Sequence, residues 1–203
     1  MIGKTVALNL VIGRSEKAAL WIPALTASAD GFEFDLELRH DLEDEEFGHP
    51  FFFDHHPGRR RRTSAGGVDP ELLRFGIQFS DGGKATNIES SSPFRTSGAD
   101  EALEGPVLIA RGGGGGEGRW RQDFCVSPLP PPGPLAFVCE WPIAAIPETR
   151  NEIDSALVRE AASEAVLLWP STEAREETGS WTTQRVVLTP EPPEPPEPTN
   201  PAG

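Results

Sequence analysis

The sequence has little cysteine and few cations, and each shortage excludes or disfavours a class of function. Only two of the 203 residues are cysteines, Cys125 and Cys139, and no CxxC pair occurs. A cysteine-based zinc site and a disulfide-dense scaffold are therefore excluded. The 18 Lys and Arg face 32 Asp and Glu, which gives a formal net charge of −14. This charge repels nucleic acid phosphates and anionic membranes, so bulk binding to either is disfavoured.

Long apolar runs are missing as well. No apolar run reaches the length of about 18 residues that a membrane-spanning helix needs. Residues 1–17 contain Lys4 but no long apolar region followed by a small-residue cleavage site. We therefore expect a cytoplasmic protein whose two cysteines stay reduced, with a disulfide as the alternative.

No catalytic signature occurs either. GxSxG, SxxK and HExxH are all absent, so we name no catalytic residue. The glycines of residues 112–116, with Gly118, satisfy GxGxxG only formally. A strand-like segment follows them, whereas a phosphate site needs a helix N-terminus there, so we expect a flexible surface hairpin loop and no cofactor.

The pattern that is present alternates apolar and polar residues, which predicts a mainly β protein. The clearest strand is residues 31–39 (GFEFDLELR), whose four apolar side chains share one face and whose four charged side chains share the other. Further predicted strands are residues 5–12, 18–22, 72–81, 84–88 and 106–111.

Residues 119–170 organise the prediction. Two alternating segments, RWRQDFCV and LAFVCEW, flank the proline-rich stretch SPLPPPGP, which cannot donate ladder hydrogen bonds at its prolines. We expect a wide, rigid hairpin that places Cys125 and Cys139 on facing arms. Thr149 and Glu152 then form a capping-box pattern, and the apolar stripe that follows predicts a helix over residues 149–169, packed on a sheet.

The most polar insertion is residues 41–69, where the acidic run DLEDEE precedes an aromatic segment and an arginine run. A solvated insertion is the simple interpretation, and a partner-docking loop is the alternative. In the second case the candidate docking residues are Phe51, Phe52, Phe53, Arg59, Arg60, Arg61 and Arg62. The nearby His49, Asp54, His55 and His56 carry metal-ligand atoms, but adjacent histidines in one segment favour a surface loop, and we predict no metal site.

Residues 171–203 are rich in proline and glutamate, so we predict a mostly disordered tail after a domain at residues 3–170. Residues 181–188 (WTTQRVVL) are a possible further strand within that tail.

Four segments together resemble a family of uncharacterised proteins of about 200 residues from high-GC Gram-positive (actinobacterial) bacteria. They are GFEF at residues 31–34, FGIQFSDGGKATN at 75–87, PLPPPGPLAFVCEWP at 128–142 and IPETR at 146–150. The family has no assigned activity, so the resemblance implies no mechanism.

From these patterns we expect a two-sheet immunoglobulin-like β-sandwich with one C-terminal amphipathic helix packed on it. The expected function is a non-catalytic cytoplasmic protein-interaction module that binds another protein or self-associates. The alternative is a small hydrolase or small-ligand-binding enzyme with its site between sheet ends and loops.

Overall fold

A computed structural model of the chain describes residues 1–41, 72–88 and 105–168. These residues are mainly β, as the alternation predicts, and they include one α-helix and one short 3-10 helix. The strands are β1 (Lys4–Arg14), β2 (Ala18–Ser28), β3 (Gly31–His40), β4 (Arg74–Gln78), β5 (Lys84–Thr86), β6 (Val107–Gly116), β7 (Arg119–Ser127), β8 (Pro134–Trp141) and β9 (Ile146–Asp154). The helices are the 3-10 turn Pro142–Ala144 and α1 (Ala156–Ser163).

The strands form two antiparallel sheets. One sheet has the order β1-β2-β3-β7-β6, and the other has the order β5-β4-β8-β9. The chain therefore changes sheet after β3, after β5 and after β7. As a result, β3 pairs with β7 in one sheet, while β4 pairs with β8 in the other.

The two sheets contact each other through aromatic rings at these central strands. The ring of Phe34 on β3 lies 6.0 Å from that of Phe75 on β4 and 5.5 Å from that of Phe137 on β8, measured between centroids. Phe124 on β7 lies 5.2 Å from Phe75. All four side chains are almost fully buried, and such ring pairs add about 0.5–1.5 kcal/mol each beyond their burial. These rings lie within one continuous hydrophobic core.

The predicted hairpin of residues 119–141 is wrong, although both of its strands and their buried faces are confirmed. β7 belongs to the five-stranded sheet and β8 to the four-stranded sheet, so the proline-rich segment crosses between sheets. Its carbonyls are bonded by side chains: Ser155 donates to Pro131 (2.7 Å), Ser80 to Pro132 (2.8 Å) and Arg159 to Pro130 (3.2 Å). The prolines have no N–H to donate, so the proline-rich segment is held by hydrogen bonds that its carbonyl oxygens accept.

The predicted helix over residues 149–169 is wrong in its first part. Ile146–Asp154 is a strand that pairs with β8 along most of its length, with Thr149 opposite Cys139 and Ile153 opposite Leu135. Sheet pairing outweighs the capping pattern here, because the Thr149 hydroxyl donates to the Ile12 carbonyl instead of capping a helix. The helix covers only Ala156–Ser163.

The buried face of α1 also differs from the prediction. Val158, Ala161 and Ala162 face the core, whereas Leu157, which the predicted stripe buries, is 42% exposed. The Asp154 carboxylate accepts a hydrogen bond from the Ala156 N–H (2.9 Å) at the start of the helix. The helix therefore begins after Asp154 and not at Thr149, which changes the set of side chains that it buries.

The other strand predictions agree with the structure. β1, β2 and β3 cover the predicted segments, and Lys84–Thr86 pairs back on β4. The predicted strand at residues 72–81 is shorter, Arg74–Gln78, but Leu73, Phe75, Ile77 and Phe79 are all buried as predicted. In the part of the chain that the structure describes, no helix is long and apolar enough to cross a bilayer.

Candidate functional site

The five glycines of residues 112–116 lie in strand β6 and not in a loop, which corrects the sequence prediction. The loop is the two-residue turn that follows them, where Glu117 has φ 52° and Gly118 has φ 74°. Two positive φ angles define a type I′ turn, whose twist matches the flanking strands. The Gly118 carbonyl also accepts a hydrogen bond from the His40 N–H (2.9 Å), so the turn is fixed to the end of β3.

The register of this hairpin determines where each glycine directs its backbone groups. Gly116 lies opposite Arg119, next to the turn, and Gly114 lies opposite Arg121. In a hairpin with a two-residue turn, the pair next to the turn is hydrogen-bonded, and the bonded pairs alternate along the strands. Gly116 and Gly114 therefore bond to β7. Gly115 and Gly113 direct their N–H and C=O groups to the opposite side of β6.

That opposite side is an edge of the sheet. Within residues 1–41, 72–88 and 105–168, β6 has a hydrogen-bonded neighbour only on its β7 side. All five glycines are exposed. We call residues 112–116 the glycine edge. A strand edge of this kind presents backbone donors and acceptors that another strand can pair with.

Four of the five glycines fall into two groups according to what a side chain would meet, while a Cβ on Gly112 would make an ordinary contact of 3.5 Å with Asp123. A Cβ on Gly115 would lie 2.0 Å from the Arg119 carbonyl oxygen, and one on Gly113 would lie 2.6 Å from Oε1 of Gln122. A Cβ on Gly114 or Gly116 would meet nothing within 4 Å. Close packing against β7 therefore explains glycine at positions 113 and 115 but not at 114 and 116.

Charged side chains cover the outer face of β3 and β7 and extend to Arg111 of β6, just before the glycine edge. Arg121 contacts Asp35 at 2.9 Å and Asp123 at 3.1 Å. Arg111 contacts Glu33 at 3.2 Å. We call these five residues the charged face. Its ion pairs are largely solvent-exposed, so each contributes only about 0–1 kcal/mol.

Asp35 is the carboxyl of the charged face that faces a second carboxyl across the strands. Asp35 and Asp123 are directly opposite each other in the β3–β7 register. Partial burial raises the pKa of the Asp35 carboxyl above 3.8, and its hydrogen bond with Asp123 adds to the rise, while Arg121 opposes it. Two facing carboxyls therefore share one guanidinium.

The opposite edge of the same sheet has a different construction. β1 shifts register between Ala7 and Leu10 and again between Val11 and Gly13, so Ile12 is not paired with β2. The Ile12 carbonyl instead accepts hydrogen bonds from the Thr149 hydroxyl and from the Asn151 amide (3.0 Å) of β9. We call this arrangement the Ile12 anchor.

The Cys139 thiol lies beside the Ile12 anchor, 3.3 Å from the Ile12 carbonyl oxygen. Burial raises the pKa of this thiol, so it remains protonated and unreactive at neutral pH. Cys125 lies in the other sheet and is half-buried, and both cysteines are free. The expected proximity of the two cysteines on one hairpin is wrong because their strands belong to different sheets.

The candidate docking residues from the sequence lie outside the described residues. They are Phe51, Phe52, Phe53, Arg59, Arg60, Arg61 and Arg62. Residues 181–188 and the rest of the tail also lie outside. Among the residues that the structure does describe, no group of three or more His, Cys, Asp or Glu side chains is placed to hold a metal ion.

Sequence reasoning missed the glycine edge because glycine has no side chain and so shows no alternation. A signal was nevertheless present on both sides of the run. Val107 to Ala110 is apolar and strand-like, Arg119 to Ser127 alternates clearly, and the two residues Glu117 and Gly118 fit a two-residue hairpin turn. If Glu117 and Gly118 form the turn of a hairpin, residues 112–116 belong to the strand that precedes the turn.

Comparison with known proteins gives no match: no protein-family model, no curated protein and no solved structure is significantly similar to this chain.

Proposed function

We propose that this protein is a non-catalytic interaction module that binds an extended segment of a partner along the glycine edge. The observation that supports this most is the pair of exposed backbone positions, Gly113 and Gly115, on an edge strand without side chains. Strand addition derives its affinity from backbone hydrogen bonds. A bare edge also lets the incoming strand approach without steric conflict.

The glycine pattern supports the proposal independently of the hydrogen bonds. Residues with side chains fit the monomer at positions 114 and 116, since a Cβ at either position would meet nothing within 4 Å. Gly also costs about 0.5–1 kcal/mol relative to Ala in a strand or helix interior. The stability of the hairpin therefore does not explain glycine at positions 114 and 116. Docking of a second strand would explain it.

The neighbouring charged face restricts the partner. Arg119 and Arg121 lie on β7 opposite Gly116 and Gly114, and their side chains are exposed. The Arg121 guanidinium is paired with Asp35 of β3, on the far side of β7 from the glycine edge, and with Asp123, so the exposed Arg119 is the β7 arginine proposed to meet side chains of an added strand. We therefore propose a partner segment that is extended, lacks proline at its pairing positions and brings a carboxylate to this positively charged border of the edge.

We propose further that the two sheets form an immunoglobulin-like sandwich. Their strand orders support this. β2-β3-β7-β6 corresponds to the order A-B-E-D of that fold, and β4, β8 and β9 correspond to C, F and G. In this correspondence β5 is C′ and β1 is an additional strand. Backbone proton contacts in an NMR structure test it, because β3 without β7 as its neighbour would contradict it.

The cytoplasmic location and the resemblance to uncharacterised actinobacterial proteins remain proposals. The two free thiols are in keeping with a reducing compartment. Fractionation of the native host, followed by detection of the protein, tests the location; recovery outside the cytoplasmic fraction would contradict it.

The decisive experiment on the proposed function is co-purification from native extract with three versions of the full chain. Wild type, Gly114→Glu and Gly114→Ala are compared, together with a chain that lacks residues 41–69. We expect a specific protein that is lost with Gly114→Glu and retained with Gly114→Ala, because the glutamate repels the carboxylate proposed for the partner strand and alanine does not. Loss only on deletion of residues 41–69 would move the docking surface to the insertion. If every captured protein is retained by all versions, the proposal is wrong.

A further inference from the structure

The glycine edge is complementary to a second copy of itself. In an antiparallel pairing centred on Gly114, Gly113 of one copy lies opposite Gly115 of the other, and Gly114 lies opposite Gly114. Gly113 and Gly115 are the residues that direct N–H and C=O groups away from β7. Each of the two symmetric Gly113–Gly115 pairs can therefore exchange a full set of backbone hydrogen bonds.

The same register brings opposite charges together. Arg111 precedes Gly114 by three positions and Glu117 follows it by three. Antiparallel pairing around Gly114 consequently brings Arg111 of one copy, at the β6 register shift, close to Glu117 of the other, in the turn, and two-fold symmetry repeats the pair. Arg111 is exposed, and its contact with Glu33 is a surface ion pair that can be shared or exchanged.

The symmetry axis of this pairing passes through Gly114, where the monomer has room for a side chain. At the centre of the pairing, the two Gly114 residues form a non-hydrogen-bonded pair, in which opposite Cα atoms approach to about 4.5 Å. Large or like-charged side chains at this point would meet across the axis. Gly114 leaves the axis open, and a Cβ on Gly116 would likewise meet nothing within 4 Å in the monomer.

We propose that the partner strand is β6 of a second copy, and that two β6 strands join the five-stranded sheets into one continuous sheet across a two-fold axis. This proposal rests on the proposed function, since it assigns the partner of the same edge. A closed two-fold contact is the commonest form of self-association and uses the same patch on both copies. It also removes the two exposed edges together.

The test is sedimentation equilibrium of the purified full chain at concentrations from roughly 1 to 500 µM, which suit the weak dissociation constant of a small interface. We expect a monomer–dimer equilibrium for wild type. Gly114→Glu places two carboxylates opposite each other at the axis and should weaken dimerisation roughly tenfold or more. In the monomer this glutamate lies opposite Arg121, so thermal unfolding should show an intact fold.

A charge exchange tests the register itself. Arg111→Glu or Glu117→Arg alone puts like charges opposite each other and should weaken the dimer, whereas the double variant restores opposite charges and should recover it. Arg14→Glu, an exposed reversal at the end of β1, is the matched control and should leave dimerisation unchanged. Failure of the double variant to recover the dimer would overturn the proposed register.

The outcomes separate this inference from the proposed function. A monomer at all concentrations overturns self-pairing, while capture of a different protein that depends on Gly114 keeps the docking edge. A dimer that Gly114→Glu leaves unchanged overturns self-pairing through β6 and places the contact elsewhere. A dimer that Gly114→Glu weakens, with no other protein captured, supports both the docking edge and self-pairing through β6.

Discussion

The two edges of the five-stranded sheet manage the same physical problem in opposite ways. On the β1 side, two register shifts turn the strand and the Ile12 carbonyl is bonded by Thr149 and Asn151 of the other sheet. On the β6 side, five exposed glycines present a strand without side chains. Natural proteins usually protect sheet edges with bulges, charges or covering segments. β1 follows that rule along its length, whereas β6 has a register shift only between Ala110 and Gly113. Among the described residues, 113–116 are therefore the part of this sheet edge that is left open to pairing.

The start of β1 is secured as well. Ile2 and Val166 exchange two backbone hydrogen bonds, of 2.8 and 2.9 Å, and Lys4 forms an ion pair with Glu164 at 2.7 Å. The segment after α1 therefore holds the N-terminal residues in place. β6, in contrast, is held on one side by β7 and at its end by the turn at Glu117 and Gly118.

The largest expected effect separates the two kinds of glycine within β6. Gly115→Ala introduces a Cβ that would lie 2.0 Å from the Arg119 carbonyl oxygen, so the hairpin must distort. We expect a loss of about 1–3 kcal/mol in the free energy of unfolding, measured by chemical denaturation. An unchanged stability would show that Gly115 is as free as Gly114 and would remove the distinction.

A smaller loss is expected at the protected edge. Thr149→Val removes the hydroxyl that bonds the Ile12 carbonyl but leaves the Asn151 amide in place, so about 1 kcal/mol should be lost. Thr26→Val, which removes an exposed hydroxyl 2.8 Å from that of Thr5, is the control and should cost less. Equal losses for the two variants would show that the Ile12 anchor does not secure β1.

A gain is expected at the bare edge. Gly114→Ala adds a Cβ in open space, and it reduces the conformational freedom of the unfolded chain, so stability should rise by about 0.4–1 kcal/mol. The dimer should persist because two alanines fit across the axis. Destabilisation by alanine would mean that the monomer itself requires glycine at position 114.

The smallest effect concerns the charged face between the two edges. The folded pKa of Asp35 is raised above 3.8, so the folded state binds this proton more tightly than the unfolded chain does. Ionised Asp35 therefore opposes folding at neutral pH, and the opposition disappears as the pH falls through the folded pKa. Asp35→Asn should slightly raise the unfolding midpoint at pH 7 and flatten its pH dependence above pH 3.8. Glu37→Gln on the same strand is the control for removing one charge, and an identical response would contradict the role of Asp35.

The strands whose side chains alternate could be predicted from the sequence, and the way in which they assemble could not. Residues 31–39 and 119–126 have buried and exposed faces that period-two patterning reveals directly. The local sequence does not show which sheet β8 joins, because β8 pairs with β4, which is distant in sequence. The same holds for Thr149, because its capping pattern is local and its pairing with Cys139 is not.

The candidate site was hidden for a related reason. Docking at the glycine edge depends on backbone direction, and backbone direction follows from the register with β7. The sequence shows five glycines, which fit a flexible loop equally well when no neighbour is known. The two-residue turn and the alternating strand after it define the register. The register in turn defines which glycines bond to β7 and which direct their backbone groups to the open side of β6.

The most direct test of an open, self-pairing β6 edge is backbone amide exchange at residues 113–116, measured by NMR at low and high protein concentration. We expect the Gly114 and Gly116 amides to be protected at both concentrations and the Gly113 and Gly115 amides to exchange rapidly when the protein is dilute. At high concentration Gly113 and Gly115 should become protected together, and Gly114→Glu should abolish this change. Protection of Gly113 and Gly115 that is already complete in dilute protein would show that the monomer covers this edge, and would contradict the proposed docking strand.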